Sequence, residues 1–330
     1  MATCADPGHA IRPAAPATDK KQTMTDTKLL DTILRQAGEI VLGKERVVRL
    51  AITCLLAQGH LLIEDLPGVG KTTLAHLLGR LLGLRYQRIQ FTSDLLPADI
   101  LGVSVYDRER GSFQFHPGPV FSELVLADEI NRATPKAQSA LLEAMEERQV
   151  TIEGQTRHLP EPFFVIATQN PAHQIGTFPL PESQLDRFLM RIGIGYPDPR
   201  SERALLAGTD RRQLLATLEP CLGPEQLIGL QQRAARTHTS AALLDYCQAL
   251  IEFTRSSPEF SHGLSPRAGL ALLRSARAWA LFEERDQVLP EDIQAVLPSV
   301  VAHRLHSTGE PQGADGDGLA QLLLESVPVP

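Results

Sequence analysis

The sequence predicts an α/β protein in which a parallel five-stranded sheet with helices on both faces is followed by a smaller, all-helical domain. Three observations predict this fold. Short apolar runs alternate with helical patterns between residues 28 and 198, which is typical of a parallel sheet. A glycine-rich turn at 64–70 joins the first apolar run to a helix. From 200 to 306 the sequence gives only helical patterns, so we expect a domain boundary near residue 198.

Several of the expected strands are short apolar runs, as strands covered on both faces should be, whereas polar and apolar residues alternate imperfectly in 86–91. The helix after the first strand carries one apolar stripe at positions 74, 77, 78, 81 and 82, which matches the helical period. Thr134 and Pro135 are typical of an N-cap and a first helical position. The strands are expected at 61–63, 86–91, 124–127, 163–168 and 190–196.

Two β-hairpins are expected to interrupt the alternation of strands and helices. The first pairs 103–106 with 112–115 around a loop that contains Gly111. The second pairs 149–152 with 156–159 around the loop Glu153-Gly154-Gln155. A short loop containing glycine is typical of hairpins.

The amino-terminal segment 1–27 contains Pro7, Pro13 and Pro16 and has no apolar periodicity, so we expect a disordered tail. Met24 is an alternative start, which would make the tail an artefact. The tail has no apolar core of a secretory signal, and no run of about 18 apolar residues suggests a membrane span. We therefore expect a cytoplasmic protein without membrane insertion. At the other end of the chain, we expect the helical domain to span 199–330.

Composition excludes several classes of function. The chain has 330 residues, 32 basic and 39 acidic side chains, and a net charge of −7, which argues against a dedicated nucleic-acid binder. The four cysteines are far apart and predict neither a zinc site nor disulfides. His303 and His306 have a possible ligand spacing, but no acidic residue joins them, so we expect no metal site there.

The turn after the first strand is the strongest local signal. It matches the phosphate-binding P-loop pattern except that Asp65 stands at the first glycine position. Gly68 and Gly70 allow backbone N–H groups to surround a phosphate, Lys71 adds positive charge, and the Thr72 hydroxyl suits Mg²⁺. The alternative is an ordinary βα turn with a surface lysine. The residues expected to contact ATP here are Pro67, Gly68, Val69, Gly70, Lys71, Thr72 and Thr73.

A second signal is the apolar run 124–127, which ends in Asp128 and Glu129. Ligands of open α/β sheets bind at the carboxyl ends of strands. We expect Asp128 to reach Mg²⁺ and Glu129 to orient the attacking water. The alternative is a solvated turn.

Three further polar residues are candidates for the same chemistry. Asn170 follows the apolar strand 163–168 and could contact the γ-phosphate or the water, although an Asn-Pro turn explains it too. Arg187 precedes the fifth strand and suits phosphate oxygens, but a surface pair with Asp186 is an alternative. Arg267 begins a helix, where a cation opposes the helix dipole, which suggests that it faces a ligand.

Together these residues resemble the AAA+ ATPases, and more narrowly the MoxR family, over about 28–330. The matching stretches are EDLPGVGKT (64–72), FTSDLLPADILG (91–102), GPVF (118–121), ADEINRA (127–133), EAMEE (143–147), ATQNP (167–171), GTFPLPE (176–182), LDRF (185–188) and the closing VPVP (327–330).

The resemblance implies an AAA+ P-loop NTPase core with a helical lid, and it implies roles. Lys71 and Thr72 are the Walker A pair, and Asp128 and Glu129 the Walker B pair. Asn170 is like sensor 1. Val41, Leu42 and Gly43 resemble the segment that packs on adenine. Arg187 is like the arginine finger that acts on a neighbour's nucleotide, and Arg267 is like the lid residue that senses the γ-phosphate. Arg132 and Lys136 match interface positions without an assigned role.

The resemblance also implies cofactors and partners. ATP and Mg²⁺ are the expected cofactors, and the two hairpins look like inserts that line the central pore of a ring. We expect a homo-oligomer, a hexameric ring, that acts as a chaperone on partner complexes, such as metal or cofactor insertion with a von Willebrand factor A protein. The alternatives are a magnesium-chelatase-like motor subunit, a ring helicase, a small-molecule kinase and a low-turnover nucleotide-binding scaffold.

Overall fold

The computed structural model describes residues 19–170, 176–208, 211–308 and 316–329. Nine strands lie in these residues: β1 (Leu61–Glu64), β2 (Tyr86–Gln90), β3 (Gly102–Asp107), β4 (Ser112–Pro117), β5 (Leu124–Asp128), β6 (Gln149–Ile152), β7 (Gln155–His158), β8 (Phe164–Gln169) and β9 (Met190–Ile192).

The helices of the described residues fall into two groups. Those that precede the predicted boundary at residue 198 are α1 (Asp19–Ile40), α2 (Glu45–Leu56), α3 (Lys71–Leu81), α4 (Pro97–Leu101), α5 (Pro135–Glu147) and α6 (Glu182–Leu185). Those that follow it are α7 (Pro199–Ala207), α8 (Arg211–Thr217), α9 (Pro224–Arg236), α10 (Ala241–Ser256), α11 (Pro266–Ala280), α12 (Pro290–Val301) and α13 (Gly316–Ser326).

The central sheet has five parallel strands in the order β2-β5-β8-β1-β9, as the sequence predicts. Ile166 of β8 lies opposite Leu61 of β1 on one side and Leu126 of β5 on the other. The carboxyl ends of these three strands therefore meet at one edge of the sheet. Each of the three is followed directly by one of the polar motifs identified in the sequence.

Apolar side chains of the sheet alternate between two hydrophobic cores. Leu124 and Leu126 of β5 pack with the core that contains α1, α2, α3 and the second domain. Val125 and Ala127 pack on the opposite face, against residues of α5. Every residue of β5 is buried, which explains why this strand reads as a continuous apolar run.

Both predicted hairpins are present. The β3–β4 hairpin pairs Tyr106 with Phe113 near its tip, and both rings are more than half exposed. The β6–β7 hairpin has a two-residue turn, Glu153-Gly154, instead of the expected three-residue loop, because Gln155 pairs with Ile152. Glu153 and Gly154 have φ values of 53° and 77°, which suit a hairpin turn of this length.

The fifth strand ends earlier than predicted, at Ile192 and not at residue 196. The backbone N–H groups of Ile194 and Gly195 donate to the Asp65 carboxylate instead of to a neighbouring strand. Gly195 has a φ of +66°, which is incompatible with extended strand geometry. The sequence signal that could have revealed this end is the pair of glycines at 193 and 195.

The two ends of the described chain also differ from expectation. Helix α1 begins at Asp19 and not near Lys28, because no proline lies between Pro16 and the end of α1 and residues 20–28 include several good helix formers. Residues 1–18 of the expected tail lie outside the described part. Helix α13 spans 316–326 and is longer than the expected 319–324. Among the described residues, no helix is long and apolar enough to cross a membrane.

Candidate functional site

The P-loop connects β1 to α3 through two glycines in left-handed backbone conformations. Gly68 has a φ of +85° and Gly70 a φ of +102°. A Cβ at either position would meet nothing within 4 Å, so backbone conformation and not crowding requires glycine here. Gly70 is the N-cap of α3, and the first N–H groups of a helix, which lack intrahelical partners, attract anions.

Lys71 is buried where β1 and β8 end, with only 8% of its surface exposed. Its Nζ donates to Asn170 Oδ1 at 2.8 Å, to the Gln169 carbonyl at 3.2 Å and to the Asp65 carbonyl. Burial lowers the pKa of Lys71, while the surrounding carboxylates, Asp65 first, oppose that shift. The ammonium group is thus held by three oxygens where the motifs meet.

Asp128 is buried at the end of β5 and both of its carboxylate oxygens have partners. The Thr168 hydroxyl donates to Oδ1 at 2.6 Å. Arg88 donates to Oδ2 from Nε at 3.0 Å and from Nη2 at 2.6 Å. The Thr72 hydroxyl lies 3.4 Å from the same Oδ2, so the two expected Mg²⁺ ligands are already adjacent.

Glu129 follows directly in a left-handed conformation, with a φ of +57°. A non-glycine residue held there costs about 1–3 kcal/mol, and such strain clusters at functional sites. Its N–H donates to Thr168 Oγ1 at 2.8 Å. Its carboxylate accepts from Asn170 Nδ2 at 3.3 Å and from Gln90 Nε2 at 3.0 Å, and forms an ion pair with Arg132 at 3.3 Å.

The structure therefore brings Lys71, Thr72, Asp128, Glu129 and Asn170 into one connected network. Three further members of this network, Arg88, Gln90 and Thr168, were not predicted from the sequence. Arg88 and Gln90 lie two apart on β2 and so share one face of the sheet. The signal in the sequence is that polar Arg88 and Gln90 alternate with apolar Ile89 and Phe91 in the expected strand 86–91.

The structure does not bring Arg187 and Arg267 to this network within the described residues. Arg187 Nε forms an ion pair with Glu146 Oε2 at 2.8 Å, and Arg267 pairs with the other oxygen of Glu146. Arg267 also lies 3.9 Å from Asp186, which pairs with Arg304. The two arginines are neighbours because Glu146 bridges them.

This arginine cluster lies at the opposite end of the sheet from the P-loop. A cavity of about 340 Å³ is lined by Arg187, Arg267 and also Gly59 and His60, which directly precede β1, whereas the P-loop follows β1. A strand of four residues is about 13 Å long. Arg267 therefore lies away from the P-loop of its own chain, and its contact with a γ-phosphate stays a prediction.

The expected adenine segment adjoins the beginning of the second domain. Val41 and Gly43 line a cavity of about 320 Å³ near the end of α1. Gly43 has a φ of +69°, and a Cβ there would lie 2.7 Å from both Asp198 Oδ2 and Ser201 Oγ. Leu42 is half-buried beside them. The segment thus touches the cap of α7, where Asp198 accepts from the N–H groups of Arg200 and Ser201.

Comparison with known proteins agrees with this architecture. Residues 60–190 match the ATPase family associated with various cellular activities (AAA), and residues 252–322 match the AAA lid domain. The chain is 39% identical to chaperone MoxR1 of Mycobacterium tuberculosis, covering 90% of this chain and 81% of that protein. It is 36% identical to protein MoxR of Paracoccus denitrificans, covering 81% and 85%.

A solved structure agrees as well. A crystal structure from Cytophaga hutchinsonii matches with a TM-score of 0.84 and 33% identity, covering 94% of this chain and 98% of that one. The sheet, P-loop and helical lid define the class, an AAA+ ATPase, and within that class the chain belongs to the MoxR family. As a member of this class it binds nucleotide and hydrolyses ATP.

Proposed function

We propose that this protein is a MoxR-type chaperone that assembles into a hexameric ring in the cytoplasm and uses ATP hydrolysis to remodel or activate partner protein complexes. One observation carries the proposal: Lys71, Asp128, Glu129 and Asn170 form one hydrogen-bonded network at one edge of the sheet, while Arg187 and Arg267 lie together at the other. Because the two groups lie at opposite edges of one chain, we expect the arginines of one subunit to complete the nucleotide site of a neighbouring subunit.

At the first edge, the backbone N–H groups of residues 68–73 and the Lys71 ammonium bind the phosphates of ATP. Thr72 and Asp128 supply oxygen ligands of the kind that Mg²⁺ takes, and their side chains already touch. When bound, Mg²⁺ neutralises phosphate charge. Glu129 orients the attacking water and accepts a proton from it. Asn170 positions Glu129 and Lys71 through a hydrogen bond to each.

At the second edge, Arg187 and Arg267 act together on the nucleotide of the neighbouring subunit. Both are partly exposed, with 29% and 47% of their side chains accessible, and both must exchange Glu146 for phosphate oxygens. Guanidinium groups suit this contact because their planar fork matches phosphate geometry. Arg267 lies in the lid, so this contact links a neighbour's nucleotide to the position of the lid.

The β3–β4 and β6–β7 hairpins would transmit the resulting movement to the partner complex. The first of them begins soon after β2, the strand that carries Arg88 and Gln90. A relative of this chain carries the name chaperone, which supports a role on other proteins. We propose a von Willebrand factor A protein as the partner class, with insertion of a metal or cofactor as one outcome.

The test is size-exclusion chromatography with light scattering, with and without ATP and Mg²⁺, followed by phosphate release from the same fractions. We expect a nucleotide-dependent species of six subunits that releases phosphate. Lys71→Ala is the matched control and should release no phosphate. Turnover by a monomer would contradict the ring, and the absence of nucleotide binding by the native chain would contradict the proposed site.

A further inference from the structure

Asp65 occupies the position where the P-loop pattern has a glycine, and its carboxylate accepts hydrogen bonds from the next residue of the loop and from the chain that follows β9. Oδ2 accepts hydrogen bonds from the N–H groups of Ile194 and Gly195, both at 2.6 Å. Oδ1 accepts from the N–H of Leu66 at 2.7 Å. The side chain therefore ties the first residue of the P-loop to the chain that follows β9.

That following chain, residues 193–198, is the linker between the two domains. It leaves β9 at Ile192 and enters α7 at Pro199. On its other side the linker is held by Lys44, whose Nζ donates to the Tyr196 carbonyl at 2.6 Å. Asp65 thus holds the linker from the P-loop and Lys44 holds it from the beginning of α2.

The backbone of Asp65 has a separate connection to the phosphate site. Its carbonyl accepts from Lys71 Nζ, and its N–H donates to the Gln169 carbonyl at 3.3 Å. A lysine ammonium has three N–H donors, and those of Lys71 are all engaged by Asp65, Gln169 and Asn170. A phosphate oxygen bound by Lys71 must therefore displace at least one of these three partners.

We propose that Asp65 is a positioning residue that couples the state of Lys71 to the linker between the domains. When Lys71 binds a phosphate, its hydrogen bond to the Asp65 carbonyl is lost and the backbone of Asp65 shifts. The Asp65 carboxylate then shifts the N–H groups of Ile194 and Gly195 that it binds. A ligand shifts a conformational equilibrium only through contacts that differ between the states, and the Lys71–Asp65 bond is such a contact. The inference rests on the proposed role of Lys71 in phosphate binding.

The test is hydrogen exchange of peptides that cover 190–199, measured on the full chain with and without AMP-PNP and Mg²⁺. The decisive variant is Asp65→Gly, which restores the residue that the P-loop pattern has and removes the carboxylate. Asp65→Asn, which keeps one acceptor oxygen, serves if the glycine variant is not folded by circular dichroism. Nucleotide binding is followed separately with a fluorescent ATP analogue.

In the native chain, exchange of the linker amides should change when nucleotide binds. In Asp65→Gly, linker exchange without nucleotide should rise about tenfold or more, because hydrogen bonds to a charged acceptor are lost, and the response to nucleotide should vanish while the nucleotide still binds. In Asp65→Asn, the response of linker exchange to nucleotide should be lost only in part, because one acceptor oxygen remains. Lys44→Ala should raise linker exchange but leave the response intact, because it loosens the linker without breaking the path from Lys71.

Two results would overturn the proposal while leaving the proposed function standing. One is that hydrogen exchange of the native linker does not change when nucleotide binds. The other is that linker exchange in Asp65→Gly changes with nucleotide as much as in the native chain. A native chain that binds no nucleotide would instead overturn the proposed function, and the coupling with it. The binding measurement therefore separates the two failures.

Discussion

Arg88 donates two hydrogen bonds to a single oxygen of Asp128, with Nε at 3.0 Å and Nη2 at 2.6 Å from Oδ2. The same oxygen lies 3.4 Å from the Thr72 hydroxyl. A cation held between Thr72 and Asp128 would therefore have to displace the guanidinium group. Because about half of the Arg88 side chain is exposed, it has room to move aside.

Arg88→Ala should consequently lower the Mg²⁺ concentration that gives half-maximal ATP hydrolysis. We expect a change of about tenfold, since a hydrogen bond to a charged group contributes about 1.5 kcal/mol or more. The measurement is phosphate release against Mg²⁺ at saturating ATP. Arg85→Ala is the control, because Arg85 pairs with Glu123 at the other end of β2. A higher Mg²⁺ requirement in Arg88→Ala would show that the guanidinium supports the site instead.

Glu129→Gln should bind ATP with little change and lose turnover by at least about a hundredfold, as expected when a general base is removed. The amide keeps the size of the side chain and one acceptor oxygen for Asn170 or Gln90. Binding and single-turnover hydrolysis would be measured on the same preparation. Glu147→Gln, an exposed change on α5, should behave like the native chain. Surviving turnover in Glu129→Gln would assign the base elsewhere.

Gly70→Ala tests the backbone conformation of the P-loop. At a φ of +102° the added Cβ should cost about 1–2 kcal/mol and weaken ATP binding. Gly229→Ala is a matched control: a Cβ there also meets nothing within 4 Å, but Gly229 lies in helix α9, where alanine should stabilise by about 0.5 kcal/mol. Thermal unfolding and ATP titration measure both effects. Equal shifts in the two variants would refute the role assigned to φ.

The ion pair between Asp292 and Arg285 should contribute to the stability of the lid. Asp292 is almost fully buried and accepts from both terminal nitrogens of Arg285, at 2.9 and 2.6 Å, and from the Leu289 N–H at 2.8 Å. Asp292→Ala leaves a guanidinium and a helix N-terminus unpaired and should destabilise the lid by about 3 kcal/mol. The exposed Glu291→Ala should change stability by less than about 0.5 kcal/mol. Similar denaturation midpoints for both would contradict this.

Much of the fold was predictable because its signals are local. The five strands and the helical second domain follow from apolar runs and helical periodicity, and the P-loop and the Asp128-Glu129 pair follow from short motifs. The early end of β9 depends on Asp65, more than a hundred residues away in the chain. The partnership of Arg88 with Asp128 likewise depends on the pairing of β2 with β5.

The place of Arg267 relative to the P-loop could not be predicted from the sequence. A single motif at the start of a helix indicates a charged residue near a ligand, but it does not indicate which copy of the chain supplies the ligand. That depends on how α11 packs against the core, where Arg267 meets Glu146 of α5. Long-range packing of this kind leaves no periodic trace in the sequence.

The central claim is that each nucleotide site is completed by a neighbour, and mixing two inactive variants tests it most directly. Lys71→Ala removes the phosphate-binding amine but retains Arg187, while Arg187→Ala does the reverse. Each alone should be inactive. Random mixing at a one-to-one ratio pairs an intact Lys71 with an intact neighbouring Arg187 at about a quarter of the ring interfaces, so the account predicts a corresponding return of phosphate release. No recovery at any ratio would contradict it.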